Sequence, residues 1–403
     1  MNIQEIKDKI REKKGFISDI DGVIYHGNKL LPGVVELVDW RKPTPGFTGG
    51  ARDRLGSKTV KRIPETIKSI KVRILTIIML FFLLTTSWIG AQVVTETDSW
   101  LHDNLEEWVY FLASDEMLGR GNGSPEMKIA AEYIAGIFQA ARLHPGFGDR
   151  YIREYTFTAR NRTIDERNVA AIIPGTDPAL KDEYIIITAH FDHVGIGRPV
   201  DGDSIYNGAD DNAAGTAAIM GVAKMIMEQE LKPGRSILFV AFSGEEMGMR
   251  GSRNYVSEPS VDLKKAYLNL NIEMPGYNQL IGKQKYYMTG ESQTNIDDLI
   301  KSFTHPSGWQ MDNSYPMAER LFRSSDNVAF TSVEPRGEQS AGVPSTTLCT
   351  HTGEEHIHKP WDEPQFIDYE NMTGFVTYLT DLVIWLSNSR EEIKWTNPSY
   401  VRY

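Results

Sequence analysis

Apolar residues fall into two patterns along this chain. Short continuous runs at Arg167 to Pro174, Tyr184 to Ala189, Arg235 to Phe242 and Ala266 to Ile272 read as buried strands. Between them lie stretches with helical spacing. Ser124 is suited to cap a helix and Pro125 to open it, after which Ile129, Ala130, Tyr133, Ile134, Ile137, Phe138 and Ala141 trace one apolar face. Thr216 to Glu228 and Tyr369 to Leu386 also read as helices. Strands alternating with helices predict an α/β domain over residues 100–387, with a mostly parallel, mixed sheet sandwiched by helices. In such sheets ligands collect at the carboxyl ends of the strands.

Before residue 100 the pattern fails, and a non-globular N-terminal extension is expected. Residues 41–73 are rich in Arg, Lys, Gly, Pro and Thr without apolar periodicity, the composition of a disordered basic linker. Residues 74–91 follow basic residues, are apolar all round and end in Gly90-Ala91, as a secretory signal peptide does. A core helix fits less well, because nothing foldable precedes the run. Left uncleaved, the segment is a signal anchor with its basic side cytoplasmic. A secreted or periplasmic location follows, with membrane attachment only through residues 74–91. Residues 1–40 contain GFISDIDGVIYHG, in which Asp19 and Asp21 suit nucleophile and general acid in phosphoryl transfer. The run resembles the opening motif of haloacid-dehalogenase-type sugar phosphatases. It stops near Trp40, far short of a core for such a domain, so a truncated fragment fused ahead of a secreted enzyme is expected. Residues 388–403 read as a C-terminal tail.

Composition narrows the chemistry. The net charge of −11 argues against a nucleic-acid binder, which needs a basic face. One cysteine, Cys349, excludes an internal disulfide and a thiolate metal cage. Any metal site must therefore use His and carboxylates. The nine histidines bunch: His190 and His193 share one motif, and His351, His356 and His358 another.

Five motifs carry candidate chemistry. In YIIITAHFDHVG a strand delivers His190, and Asp192 two residues on faces the same side, suited to accept the proton of the second ring nitrogen. In YNGADDNAAG, Asp210 and Asp211 are adjacent acids at a loop–helix junction, and helix capping accounts for only one of them. In SILFVAFSGEEMG a buried strand ends before Glu245 and Glu246, which can divide metal ligation from proton transfer. In AYLNLNIEMPGY, Glu273 is the lone charge at a strand end. In HTGEEHIHKPWDE, His356 and His358 point the same way if the segment is extended.

In sequence, order and spacing, AHFDH, GADDNAAG, GEEMG, NIEMPG and HIHKPWDE resemble peptidase family M28, the di-zinc aminopeptidases, over about Leu105 to Trp385. The resemblance implies a zinc-exopeptidase fold and two zinc ions. Asp211 would bridge them, with His190 and Glu273 completing one site and Glu246 and His358 the other. It implies Glu245 as general base, Asp192 orienting His190, and peptide or protein N-termini as substrate. The bond corresponding to Asp211–Asn212 is often cis in the family, so a cis bond is expected. Glu273 stands where the family usually has Asp, and Asn327 where it often has His, which leaves a substrate contact at Asn327 in doubt. Glutaminyl cyclases use the same scaffold with one catalytic zinc, and a peptidase-like binding domain without metals is a further alternative.

Overall fold

The computed structural model describes residues 25–26, 29–30, 96–159, 161–334, 341–351 and 355–397. Asp19, Asp21, the basic linker and the apolar segment 74–91 lie outside the described residues. One compact unit, Met1–Phe16 with Ile24–Glu96, holds a short antiparallel pairing of Tyr25–His26 with Lys29–Leu30. The other, Ile17–Val23 with Thr97–Tyr403, carries the sheet and everything below. Among the described residues no helix is long and apolar enough to cross a membrane.

The nine strands of the main sheet are β1 (His144–Pro145), β2 (Ile152–Ala159), β3 (Arg162–Ile173), β4 (Tyr184–His190), β5 (Ser236–Phe242), β6 (Ala266–Ile272), β7 (Lys285–Met288), β8 (Gln310–Met311) and β9 (Ser345–Cys349). Their order is β8-β7-β9-β6-β4-β5-β3-β1, with β2 paired to β3. The four central strands β9, β6, β4 and β5 run parallel. Antiparallel pairings flank them, β7 with β9 on one side and β3 with β5 on the other. The sheet is thus mixed and parallel at its centre.

Both faces of the centre are covered, and the alternation of side chains sorts the core in two. Ile185, Ile187, Ala189, Ile237, Phe239 and Ala241 point to one face. There they meet helices α1 (Glu96–Leu112), α2 (Pro125–Ala140), α3 (Gly215–Glu228) and α6 (Tyr369–Asn388). Ile186, Leu238, Val240 and Phe242 point to the other face, against Tyr255 of α4 (Arg250–Ser257) and Phe330 of α5 (Asn327–Thr331). A strand buried on both faces has no polar side, which is why these strands read as unbroken apolar runs. Ser124 caps α2 as expected, its hydroxyl accepting the Met127 N–H at 3.4 Å. Residues 389–397 pack back onto the domain with Ile393 and Trp395 buried, so this part of the expected tail belongs to the fold.

The parallel centre positions the site. His190 ends β4, Glu245 and Glu246 follow β5 across Ser243-Gly244, Glu273 follows β6, and the chain leaving β9 runs on to His358. Parallel strands place all these ends on one edge.

Candidate metal centre

The side chains form two groups that share Asp211. In the first, His190 Nε2 lies 3.4 Å from Asp211 Oδ1 and 3.6 Å from Glu273 Oε1. In the second, His358 Nε2 lies 2.9 Å from Glu246 Oε1 and 3.3 Å from Asp211 Oδ2. His193 joins this second group, its Nδ1 3.2 Å from Glu246 Oε1 and 3.7 Å from Asp211 Oδ2. The two oxygens of Asp211 therefore face different groups, the arrangement a bridging carboxylate needs. His190, Asp211, Glu246, Glu273 and His358 come together as the motifs suggested. His193 is the residue that sequence reasoning passed over, although it lies in the same motif as His190. Glu245 belongs to neither group.

These residues fit zinc. Two donors on one tetrahedral zinc, at bonds of about 2.0–2.1 Å, stand about 3.3 Å apart. The separations above, 2.9 to 3.7 Å, bracket that value. His190 Nε2 and both ring nitrogens of His193 are buried without a hydrogen-bond partner. Imidazole and carboxylate donors without thiolate are a set that zinc accepts.

Backbone and surrounding side chains fix each ligand. His190 Nδ1 is 3.2 Å from the Asp192 carbonyl oxygen and 3.6 Å from its Oδ1. The Asp192 carboxylate also grips the neighbouring turn. Its Oδ1 accepts the Glu245 N–H at 3.1 Å, and Oδ2 accepts the Glu246 N–H at 3.2 Å and Asn122 Nδ2 at 2.7 Å. It thus ties the end of β4 to the turn after β5. Glu273 Oε2 accepts from Ser325 Oγ and from Asn271 Nδ2 at 3.2 Å. Asp211 follows Gly208 (φ +60°) and precedes a cis peptide bond to Asn212, as the resemblance led one to expect. Gly215 is required next, because a Cβ there would come within 2.6 Å of the Ile272 carbonyl oxygen. Asp362 accepts the N–H groups of Asp210 at 2.9 Å and Asp211 at 3.0 Å, and Tyr277 donates to it at 3.1 Å.

Two buried groups complete the frame. Asp210 turns away from both metal groups, accepting from His351 Nδ1 at 2.7 Å and the Gly276 N–H at 2.7 Å. The adjacent acids therefore have separate partners. Arg120 is fully buried and donates to the carbonyls of Leu112, Phe191, Asn207 and Gly208.

One expectation needs correction. Residues 355–360 form turns rather than an extended segment, with His358 at φ +52°. His356 consequently packs on Tyr277, ring centroids 4.5 Å apart, and does not accompany His358. Asn327, where a substrate contact was in doubt, is buried, donating to the Phe322 carbonyl at 3.0 Å and accepting from Thr347 Oγ1 at 2.9 Å.

Charge is unbalanced here. Burial opposes a charged His190, yet the carboxylates of Asp192, Asp211 and Glu273 lift it well above the usual histidine range. Asp211 and Glu246 press His358 up to about 10. Burial pushes Glu245 well above the carboxylate range against the pull of His190, with Glu273, Asp326 and Glu246 adding to the push. Burial also holds Asp326 up to about 7. Imidazoles that hold protons among such carboxylates lose them to solvent when a metal cation takes the protons' place.

The family model for peptidase family M28 matches residues 168–383. The probable glutamate carboxypeptidase VP8 of Zea mays is 27% identical over 280 residues, 66% of this chain and 35% of that protein. Aminopeptidase YwaD of Bacillus subtilis (strain 168) is 30% identical over 181 residues, 44% of this chain and 34% of that protein. The chain thus spans about a third of the length of these two curated relatives. The solved aminopeptidase from Aneurinibacillus sp. strain AM-1 shares the fold, with a TM-score of 0.52 at 15% identity over 72% of this chain and 95% of that one.

Proposed function

Because the chain belongs to peptidase family M28, we propose that it is a zinc-dependent exopeptidase, an aminopeptidase that cleaves the N-terminal peptide bond. One observation carries this reading: two ligand groups share Asp211 at the carboxyl edge of the sheet, while Glu245, on the adjoining turn, is left free of both. His190, Asp211 and Glu273 would hold one zinc, and Asp211, Glu246 and His358 the other. Zinc bound there supplies Lewis acidity, which brings the pKa of a water toward neutrality and polarises a carbonyl.

The protein's own residues do the rest. Glu245, raised above the usual carboxylate range, accepts the proton of the attacking water and returns it to the leaving amine. Asp192 keeps Glu245 and Glu246 in register by accepting both backbone N–H groups, so base and ligand stay at fixed spacing. The surplus of carboxylates draws in the α-ammonium of a free N-terminus, which favours trimming from the end over internal cleavage. Residues 74–91, with their signal-like pattern, support action on peptides outside the cytoplasm.

A library of free-amine and N-blocked peptides, incubated with the zinc-loaded protein and read by mass, tests the proposal. Removal of N-terminal residues from free-amine peptides alone is the expected result. Loss of ammonia from N-terminal glutamine without hydrolysis identifies a cyclase instead. No turnover by a zinc-loaded chain identifies a binding domain.

A further inference from the structure

We propose that His193 is a sixth metal ligand, which closes the Asp211–Glu246–His358 site and leaves the His190–Asp211–Glu273 site as the open, water-activating one. The inference rests on the metal-centre reading above and adds an asymmetry to it.

His193 is 1% exposed, and neither ring nitrogen has a hydrogen-bond partner. A buried polar group in that state is costly and calls for an explanation. Its Nδ1 lies 3.2 Å from Glu246 Oε1 and 3.7 Å from Asp211 Oδ2, near the edge of a zinc tetrahedron of about 3.3 Å. Its ring sits 5.6 Å from that of His358, centroid to centroid, so two imidazoles approach the same carboxylates.

The local backbone is shaped to keep the ring there. The His193 N–H donates to the Arg120 carbonyl at 3.2 Å, and the residue bridges to Gly121. A Cβ on Gly208 would stand 2.4 Å from His193 Cγ, so only glycine leaves room for the imidazole at that point. Gly208 also holds φ +60°, which glycine adopts without strain.

The consequence is a difference in coordination. His193, Asp211, Glu246 and His358 offer four donors, the number a closed zinc site takes. His190, Asp211 and Glu273 offer three, which leaves the fourth position to water or substrate.

Chelator-competition titration of the zinc-free full chain provides the test, with bound zinc as readout. The unmutated protein should take up zinc in two steps, and His193→Asn should weaken the tighter step more than about 100-fold, beyond the 10–100-fold typical of an outer-layer partner. An unchanged tighter step, within threefold, would overturn the proposal. One equivalent of cobalt in the unmutated protein gives a readout that needs no variant. Intense visible bands of a four-coordinate ion are expected, and weak bands of higher coordination sink the idea even if His193→Asn does not fold. Zinc binding in two steps indifferent to His193 defeats this inference alone, whereas a chain that binds no zinc defeats the metal-centre reading with it.

Discussion

Replacing Asp362 by Asn separates holding the metal loop from holding the fold. The Asp362 carboxylate is fully buried and serves three donors: Oδ1 takes the Asp210 N–H at 2.9 Å and Tyr277 O–H at 3.1 Å, and Oδ2 takes the Asp211 N–H at 3.0 Å. An Asn amide keeps one acceptor oxygen. Placed toward Asp210 and Tyr277 it preserves two bonds and turns an NH2 group toward the Asp211 N–H. Losing that bond to a charged group costs about 1.5–3 kcal/mol. Against this, burial raises Asp362 to about 6 from 3.8, so its charge at neutral pH costs about 3 kcal/mol at 1.36 kcal/mol per unit, which Asn does not incur. The two effects nearly cancel. Global stability should therefore change by less than about 2 kcal/mol. The Asp211 main chain, now without its acceptor, should hold zinc roughly 10–100-fold more weakly. Asp362→Ala leaves all three donors without their acceptor and should lose both stability and zinc. Denaturant melts beside chelator competition on both variants make the comparison. Zinc affinity within threefold of the unmutated protein in Asp362→Asn would refute the reasoning.

Glu245→Gln should retain zinc while kcat falls by roughly 10²–10⁴-fold, since it removes a proton acceptor and no ligand, whereas Glu246→Gln should lose zinc. Identical metal content in the two variants would show that the division of labour is wrong. Glu273→Asp should weaken the His190–Asp211–Glu273 site, because Ser325 and Asn271 already grip Glu273 Oε2 and a shorter arm leaves both contacts. Unchanged or tighter zinc binding would mean that the longer side chain is merely tolerated. Glu166 is fully buried, and burial raises it from 4.5 to about 7. It binds its proton more tightly folded than unfolded, so its contribution is complete below about pH 4.5 and lost as pH rises through about 7. The gap amounts to about 3 kcal/mol. Melting temperatures at pH 5 and pH 8 should consequently differ less in Glu166→Gln than in the unmutated protein, and an equal difference would argue against an ionising Glu166.

Legibility in the sequence followed burial and distance. β4, β5 and β6 announced themselves because strands covered on both faces need unbroken apolar runs. β9 is just as central, yet Ser345, Thr346 and Thr347 hide it. Their hydroxyls are satisfied by the Asn327 carbonyl, the Thr289 carbonyl and Asn327 Oδ1, so a polar sequence is buried without penalty, which periodicity does not reveal. β2 mixes polar and apolar residues for a different reason, since it pairs only with β3, away from the doubly covered centre. Five of the candidate ligands were readable because each sits in a compact motif of His or carboxylate, three of them within a few residues of a strand end. His193 was not, because whether a second histidine in AHFDH turns inward is decided by room at Gly208, in another segment. The grip of Asp362 on Asp211 spans 151 positions, and no local pattern encodes it. His356 and His358 part because residues 355–360 turn where an extended segment would have aligned them.

Bringing strand ends to one edge also concentrates charge, and Arg120 shows how the fold manages it. Asp192, Asp210, Asp211, Asp326 and Asp362 are all buried near Glu245, Glu246 and Glu273. Burial lowers Arg120 to about 10, so it remains charged at neutral pH. Its hydrogen bonds go to carbonyls rather than to carboxylates, which leaves its charge to act through space on Asp362, Asp192, Asp211 and Glu246. Two of those carbonyls, Asn207 and Gly208, precede Asp211, and a third, Phe191, lies between His190 and His193. One guanidinium thus aligns the segments that supply both metal groups and offsets part of their negative charge without occupying a ligand position. A carboxylate in that place would repel Asp211, and a small apolar residue would take a donor from each of four buried carbonyls. The remaining negative charge is left for divalent cations to neutralise, which gives the cluster its affinity for metal.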